Sequence, residues 1–166
     1  MPRQKQIKTR KDRAGEFVIV CQNMRSLFNV GSVFRSADCF GASKIYLTGI
    51  TGTPPRKEIS KVALGAELYL PWEYAKQPLR LIKKLKAEGY TIAALEQAEN
   101  SESLYKYNPR FPLALILGYE VTGLPKSILK ICDHILEIPL HGQKESLNVA
   151  SAFAVAASRI AEKAQK

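Results

Sequence analysis

The sequence predicts an α/β protein with a mostly parallel six-stranded sheet and helices on both faces. Short apolar segments rich in β-branched residues alternate with segments of helical periodicity along the chain. One segment, Leu113–Leu117, is apolar at every position, which is typical of a parallel strand buried on both sides. These observations favour a single domain over residues 14–166, which is long enough to bury a hydrophobic core.

The predicted strands share a high content of apolar and β-branched residues. They are Phe17–Cys21, Lys44–Thr48, Glu67–Leu70, Tyr90–Leu95, Leu113–Leu117 and His134–Ile138.

The helices are predicted from capping residues and apolar periodicity. Asn29 is expected to cap the first helix, which ends at Gly41, and Pro78 suits the first turn of a helix that ends at Gly89. Short helices are expected over residues 57–65 and after Pro125. The alanine-rich segment from Ser146 to Lys163 predicts a long final helix.

The net charge of the chain is +10, and half of it lies in a basic tail over residues 1–13. This tail has six bases and one acid, a net charge of +5. A basic segment of this kind suits contact with the phosphates of a nucleic acid, although it could also be a solvated terminus. Its few apolar residues argue against binding to a membrane surface.

Other properties of the sequence favour a cytoplasmic protein. No apolar segment is long enough to span a bilayer, and the first residues do not resemble a signal peptide. Cys21, Cys39 and Cys132 are widely spaced and odd in number, which predicts reduced thiols and neither a metal site nor a disulfide framework.

Two glycines follow the strand at Leu113–Leu117 with the spacing of a phosphate-binding loop. Such a loop requires Lys and then Ser or Thr after Gly123, whereas this chain has Leu124 and Pro125. Glu120 would also repel a phosphate. A nucleoside triphosphatase is therefore excluded, and the absence of a G-x-G-x-x-G motif leaves a dinucleotide fold unsupported.

Two further segments carry polar residues where helices are predicted to begin. Arg35 is expected to lie over Gly31 and Ser32, so that its guanidinium could hold a phosphate or ribose at a helix start, or could be a surface arginine. Ser146 could be a helix cap, and Asn148 would then be free to bind a ligand. His134 and His141 are interpreted as structural or surface residues.

The three segments together resemble the SpoU class of RNA 2′-O-ribose methyltransferases, within the SPOUT superfamily. The resemblance runs from about residue 16 to residue 162. It is carried by the segments Asn29–Gly41, Gly118–Leu124 and Ile138–Val149, in this order.

The resemblance implies a fold with a deep C-terminal trefoil knot that binds S-adenosylmethionine. It also implies a homodimer whose active site uses both subunits. The catalytic residues implied in this way are Arg35, Asn29, Glu120, Ser146 and Asn148. The implied cofactor-binding residues are Leu95, Glu96, Gly118, Gly123, Ile138, Leu140 and Leu147, and no metal is implied.

The expected reaction is methyl transfer from S-adenosylmethionine to a ribose 2′-hydroxyl of structured RNA. Arginine stays protonated in proteins, so we expect Arg35 to grip an RNA phosphate bidentately rather than to act as the base. The tRNA is favoured over rRNA as substrate, because lone catalytic domains of this class often modify tRNA. A non-catalytic RNA-binding protein on the same scaffold and a small-molecule methyltransferase are the alternatives.

Overall fold

The computed structural model describes residues 15–164, so the basic tail predicted over residues 1–13 lies outside the described part of the chain. The strands are β1 Phe17–Gln22, β2 Lys44–Thr48, β3 Trp72–Ala75, β4 Thr91–Leu95, β5 Glu102–Ser103, β6 Leu113–Leu117 and β7 His134–Glu137. The helices are α1 Leu27–Cys39, α2 Lys57–Ala63, α3 Ala66–Tyr69, α4 Pro78–Ala87, α5 Lys126–Leu129 and α6 Val149–Ala164.

All strand pairs in the sheet are parallel, and the strand order is β3-β2-β1-β6-β4-β7-β5. The predicted class is confirmed, but the sheet has seven strands in place of the predicted six. The additional strand, β5, consists of only two residues that pair with β7 at the edge of the sheet. A segment that short carries no periodicity in the sequence from which it could have been predicted.

The strand predicted at Glu67–Leu70 is wrong. This segment forms the one-turn helix α3, in which the N–H of Leu70 bonds to the carbonyl of Ala66. Leu68 and Tyr69 are 80% and 69% exposed, so their apolar side chains do not mark a buried strand. The strand next to β2 is instead β3, which follows directly.

Helices cover both faces of the sheet, as predicted. Phe17, Ile19 and Cys21 of β1 pack with the helices α1, α2, α3 and α6. Val18 and Val20 point to the opposite face, where α4 and α5 contribute the apolar partners. Each face of a parallel strand therefore has its own core, which accounts for the continuous apolar strands in the sequence.

Helix α1 begins at Leu27, two residues before the predicted cap Asn29. Ser26 is the actual N-cap, since its hydroxyl accepts a 3.2 Å hydrogen bond from the N–H of Asn29. The position of Asn29 in the first turn leaves its side chain free for contacts outside the helix. The prediction that Asn29 caps the helix was wrong, and this correction determines the role of that residue.

Helices α1 and α2 approach each other closely at Gly31. A Cβ atom at this position would lie 2.5 Å from the carbonyl oxygen of Ile59 and 3.1 Å from Cβ of Val62. Gly31 thus permits the packing of α2 on α1. It does not, as the sequence suggested, make room for Arg35 at a helix start, because Gly31 lies in the second turn of α1.

Candidate active site

A cavity of about 310 Å³ opens at the carboxyl edge of the sheet, beside the ends of β4, β6 and β7 and the start of α6. Loops at this edge of a parallel sheet commonly form ligand sites. The cavity is lined by all seven residues predicted to bind a cofactor: Leu95, Glu96, Gly118, Gly123, Ile138, Leu140 and Leu147. Two of the predicted catalytic residues, Glu120 and Ser146, also line it.

Glu96 fixes the glycine-rich turn on one side of this cavity. Its carboxylate accepts hydrogen bonds from the N–H groups of Gln97, at 3.0 Å, and Leu124, at 2.8 Å. Gly123 has a φ of +68°, and a Cβ atom there would collide with the Glu96 carboxylate. The backbone therefore requires glycine at this position both for its conformation and for the close approach of Glu96.

Glu120 is the polar centre at the mouth of the cavity. Its carboxylate accepts hydrogen bonds from the N–H groups of Arg25 and Ser26, each at 3.1 Å, and from Nδ2 of Asn29 at 3.2 Å. Partial burial opposes ionisation of Glu120, but its own backbone N–H and these three donors outweigh that effect and lower its pKa. The group is therefore an anion that holds the segment between β1 and α1.

Asn148 connects this carboxylate to the last helix. Its Nδ2 donates a 3.1 Å hydrogen bond to Oδ1 of Asn29, while its own Oδ1 accepts from the N–H groups of Ala150 and Ser151 at 2.9 and 3.1 Å. Asn148 is thus the N-cap of α6, and the prediction that Ser146 could fill this role was wrong. The hydrogen bonds from Asn148 through Asn29 to Glu120 bring the three sequence motifs together.

Arg35 is the one predicted catalytic residue that neither lines the cavity nor takes part in these hydrogen bonds. It is exposed on α1 and is not among the residues that line the cavity, and its side chain forms no hydrogen bond or ion pair with the other described residues. It lies more than two turns from the start of α1, so the expected position at a helix N-terminus was wrong. The cavity of a single chain therefore lacks the arginine.

Sequence reasoning missed the backbone of Arg25 and Ser26, whose N–H groups hold Glu120. A signal for Ser26 was present, because a serine directly before an apolar residue is a common helix cap. The N–H of Arg25 had no such signal, since any residue can supply a backbone N–H.

The histidines lie outside the cavity. His134 forms a 2.7 Å hydrogen bond with Glu102 and its ring lies 4.8 Å from that of Tyr107, so it has a structural role at the sheet edge. Within residues 15–164 no three His, Cys, Asp or Glu side chains are grouped so that they could hold a metal ion. In the same part of the chain, no helix is both long and apolar enough to cross a membrane.

Comparison with known protein structures supports the α/β fold described above. An AdoMet-bound rRNA methyltransferase from Sinorhizobium meliloti superposes with a TM-score of 0.83 at 28% identity, over 89% of this chain and 56% of that one. Residues 16–158 match the SpoU rRNA Methylase family. The chain belongs to this family, which confirms the resemblance inferred from its three motifs.

Two relatives have names that specify a reaction. The 23S rRNA (guanosine-2'-O-)-methyltransferase RlmB of Ralstonia nicotianae is 29% identical over 83% of this chain and 55% of its own length. The tRNA (guanosine(18)-2'-O)-methyltransferase TARBP1 of Mus musculus is 31% identical over 80% of this chain, but over only 8% of its own. The chain spans between 38% and 62% of the length of four further curated relatives.

Proposed function

We propose that this protein transfers a methyl group from S-adenosylmethionine to a ribose 2′-hydroxyl of structured RNA. The observation that carries the proposal is the set of hydrogen bonds from Asn148 through Asn29 to Glu120 beside the cavity. This arrangement joins the three motifs of a methyltransferase family at one point. The 2′-hydroxyl is favoured as the acceptor because two relatives carry that position in their names.

The cavity suits the donor in size and in chemistry. Its volume of about 310 Å³ falls at the lower end of the range of roughly 300–1,000 Å³ for small-molecule sites. Leu95, Ile138 and Leu140 supply apolar walls that can enclose an adenine ring, and the backbone at Gly118 and Leu147 can bond to polar atoms. When bound, S-adenosylmethionine supplies a methyl group on a sulfonium, which an oxygen nucleophile can attack.

The side chains at the mouth of the cavity position the acceptor in this proposal. Ionised Glu120 keeps the Arg25–Asn29 segment in place, and Ser146, exposed on the cavity wall, can bond to the ribose. Arg35 grips the adjacent phosphate with its two parallel N–H groups. The proton of the 2′-hydroxyl passes to an RNA phosphate, because the arginine cannot accept it.

A homodimer completes the site in this proposal. Arg35 lies outside the cavity of its own chain, so a second copy can bring its arginine to that cavity. Phe28, seven positions before Arg35 and therefore on the same face of α1, is 52% exposed, and Val121 at the cavity is 78% exposed. Exposed apolar side chains of this kind are expected at a subunit interface. We also propose that the C-terminal segment through α6 forms the trefoil knot expected of this class.

The tRNA is the first substrate to test, because one relative carries a tRNA activity in its name. The rRNA is the second candidate, favoured by the relatives that are named for it. The two candidates are distinguished by mass spectrometry of nucleosides from a strain that lacks the gene for this protein and from its parent strain. Loss of one 2′-O-methylnucleoside from the tRNA fraction is expected. Its loss from rRNA would support the second candidate, and no loss in either fraction would contradict the proposal.

A further inference from the structure

A second cavity, of about 570 Å³, lies on the other face of the sheet, at the ends of β1 and β3. It shares no lining residue with the cavity at β4, β6 and β7. Its apolar floor includes Leu79 and Ile128, which belong to the core beneath α4 and α5. The segment that follows β6 and continues into α5 borders both cavities, with Gly118 and Gly123 at the first and Pro125 and Ser127 at the second.

The rim of the second cavity is cationic. Lys76, Arg80 and Lys83 line it, no Asp or Glu does, and all three bases are exposed. None of the three forms an ion pair within the described residues 15–164, whereas Lys84 and Lys86 on the same helix pair with Glu88 and Asp133. The positive charge at the rim is therefore available to an external anion.

The start of the ten-residue helix α4 lies at the same rim. Its N-cap, Gln77, makes no capping hydrogen bond through its side chain, and Pro78 has no N–H. The first-turn N–H groups of Leu79 and Arg80 consequently have no partner within the helix. Such groups, together with the helix dipole, favour a bound anion.

A buried amide provides an independent sign of a ligand. Gln22, the last residue of β1, lines this cavity and is only 5% exposed, and its side-chain oxygen has no hydrogen-bond partner among the described residues. Buried polar atoms nearly always have a partner. A ligand with an O–H or N–H donor would satisfy this oxygen, and a phosphate alone would not.

We propose that the second cavity binds one nucleotide of the substrate RNA away from the methylated ribose. Its phosphate is held by Lys76, Arg80 and Lys83 with the first turn of α4, and a ribose hydroxyl or base N–H donates to Gln22. RNA is favoured over a protein partner because the bases are unpaired and the chain carries a net charge of +10. This inference rests on the proposed RNA methyl transfer.

The test compares basic residues that are neighbours on α4. The variant Arg80→Ala/Lys83→Ala is expected to bind unmodified tRNA about tenfold more weakly, with a slope of log affinity against log salt that is lower by about 1.5 to 2. Lys84→Ala, which removes one charge outside the cavity, is the control and should change affinity less than about twofold, because Lys84 does not line the cavity and pairs with Glu88. Binding of S-adenosylmethionine, measured by calorimetry, should be unchanged in every variant.

Gln22→Met tests the buried amide separately. It keeps the volume of the side chain and removes the unpaired oxygen, so thermal stability should be equal or higher. The affinity for tRNA should nevertheless fall, by about fivefold if one hydrogen bond is lost. If Gln22 had only a structural role, the substitution would change thermal stability and leave the affinity for tRNA unchanged. This result would overturn the assignment.

The other possible outcomes distinguish a failure of this inference from a failure of the proposed function. Unchanged tRNA affinity in the double variant, or an equal loss in Lys84→Ala, would overturn this inference and leave the proposed function in place. Wild-type protein that binds S-adenosylmethionine but neither tRNA nor rRNA would overturn both. Binding of AMP that is lost in the double variant, with tRNA affinity unchanged, would identify a free nucleotide as the ligand and contradict the assignment to RNA.

Discussion

The side-chain amide of Asn148 donates a 3.1 Å hydrogen bond to Oδ1 of Asn29, 119 positions earlier in the chain. In both asparagines, the side-chain amide oxygen accepts a hydrogen bond and the amide nitrogen donates one. Asn148 caps α6 with its oxygen, and Asn29 donates to Glu120 with its nitrogen. Since the oxygen of Asn29 accepts and its nitrogen donates, Glu120 has to be an acceptor. The contacts around Glu120 favour its ionised state, because each of them places an N–H donor against a carboxylate oxygen.

Glu120→Gln is expected to destabilise the protein near neutral pH. The carboxylate has a lowered pKa in the folded protein, so its contribution to stability is present above its ordinary value of 4.5 and is lost as the pH falls through the lower pKa of the folded state. The exposed position of Glu120 limits the effect to about 1 kcal/mol, or about 2 to 4 °C in Tm. Thermal unfolding at pH 7 and at pH 3 measures this difference.

The control for this substitution is Glu99→Gln, which changes an exposed glutamate with no hydrogen bond or ion pair to the other described residues. It should leave Tm unchanged at both pH values. A Tm deficit of Glu120→Gln that is as large at pH 3 as at pH 7 would show that the charge of Glu120 does not account for it.

Arg35→Lys is expected to lose most methyl transfer while it keeps stability and donor binding. Lysine retains the charge but not the planar pair of N–H groups that grips a phosphate bidentately. Turnover, thermal unfolding and calorimetry with S-adenosylmethionine measure the three properties. Arg56→Lys, at an exposed arginine before α2, is the matched control and should be as active as wild type. Near wild-type turnover of Arg35→Lys would refute the phosphate grip.

Gly31→Ala is expected to destabilise the contact between α1 and α2. The new Cβ would approach the Ile59 carbonyl oxygen to 2.5 Å, and neither backbone can move without disturbing the core. The expected cost is about 1 to 3 kcal/mol, which lowers Tm by about 2 to 12 °C. Gly142→Ala is the control, because a Cβ atom there would meet nothing within 4 Å beyond its chain neighbours. Equal Tm values for the two variants would contradict the close-packing role of Gly31.

Deletion of residues 1–13 is expected to weaken RNA binding and to flatten its dependence on salt. This segment has a net charge of +5, and each phosphate contact that is lost lowers the slope by about 0.9. A variant in which the six bases of the tail are replaced by Gln is the control for the length of the segment. Filter binding across a salt titration measures the affinity for RNA and its dependence on salt in the two variants. An unchanged slope in the two variants would remove the tail from the RNA-binding surface.

The positions of the cavity residues could be predicted because the carboxyl ends of parallel strands meet at one edge. Leu95, Gly118 and Ile138 end or follow strands that are apolar in the sequence, so their proximity follows from the fold class. Features that depend on long-range packing could not be predicted. Gly31 is required only because α2 lies across it. Helix α3, in contrast, contains the helix-favouring residues Ala66, Glu67 and Leu68, so its prediction as a strand misjudged the local preference.

The N-caps of helices α1 and α6 also could not be assigned from the local sequence. Asn29 and Ser146 were both plausible caps by residue type, yet Ser26 and Asn148 fill these positions. The difference of two or three residues cannot be resolved from local propensity, because each candidate is a good capping residue. The actual cap, Ser26, places Asn29 in the first turn of α1, and from this position the side chain of Asn29 reaches Glu120.

Methyl transfer to a ribose 2′-hydroxyl can be measured directly on the purified protein. The protein is incubated with unmodified tRNA and S-adenosylmethionine that carries a labelled methyl group, and the digested nucleosides are analysed by mass spectrometry. We expect label on the ribose of one 2′-O-methylnucleoside, and at least about a tenfold reduction of it in Arg35→Lys. Label on a base, or no label in either tRNA or rRNA under conditions in which the donor is bound, would contradict the proposed reaction.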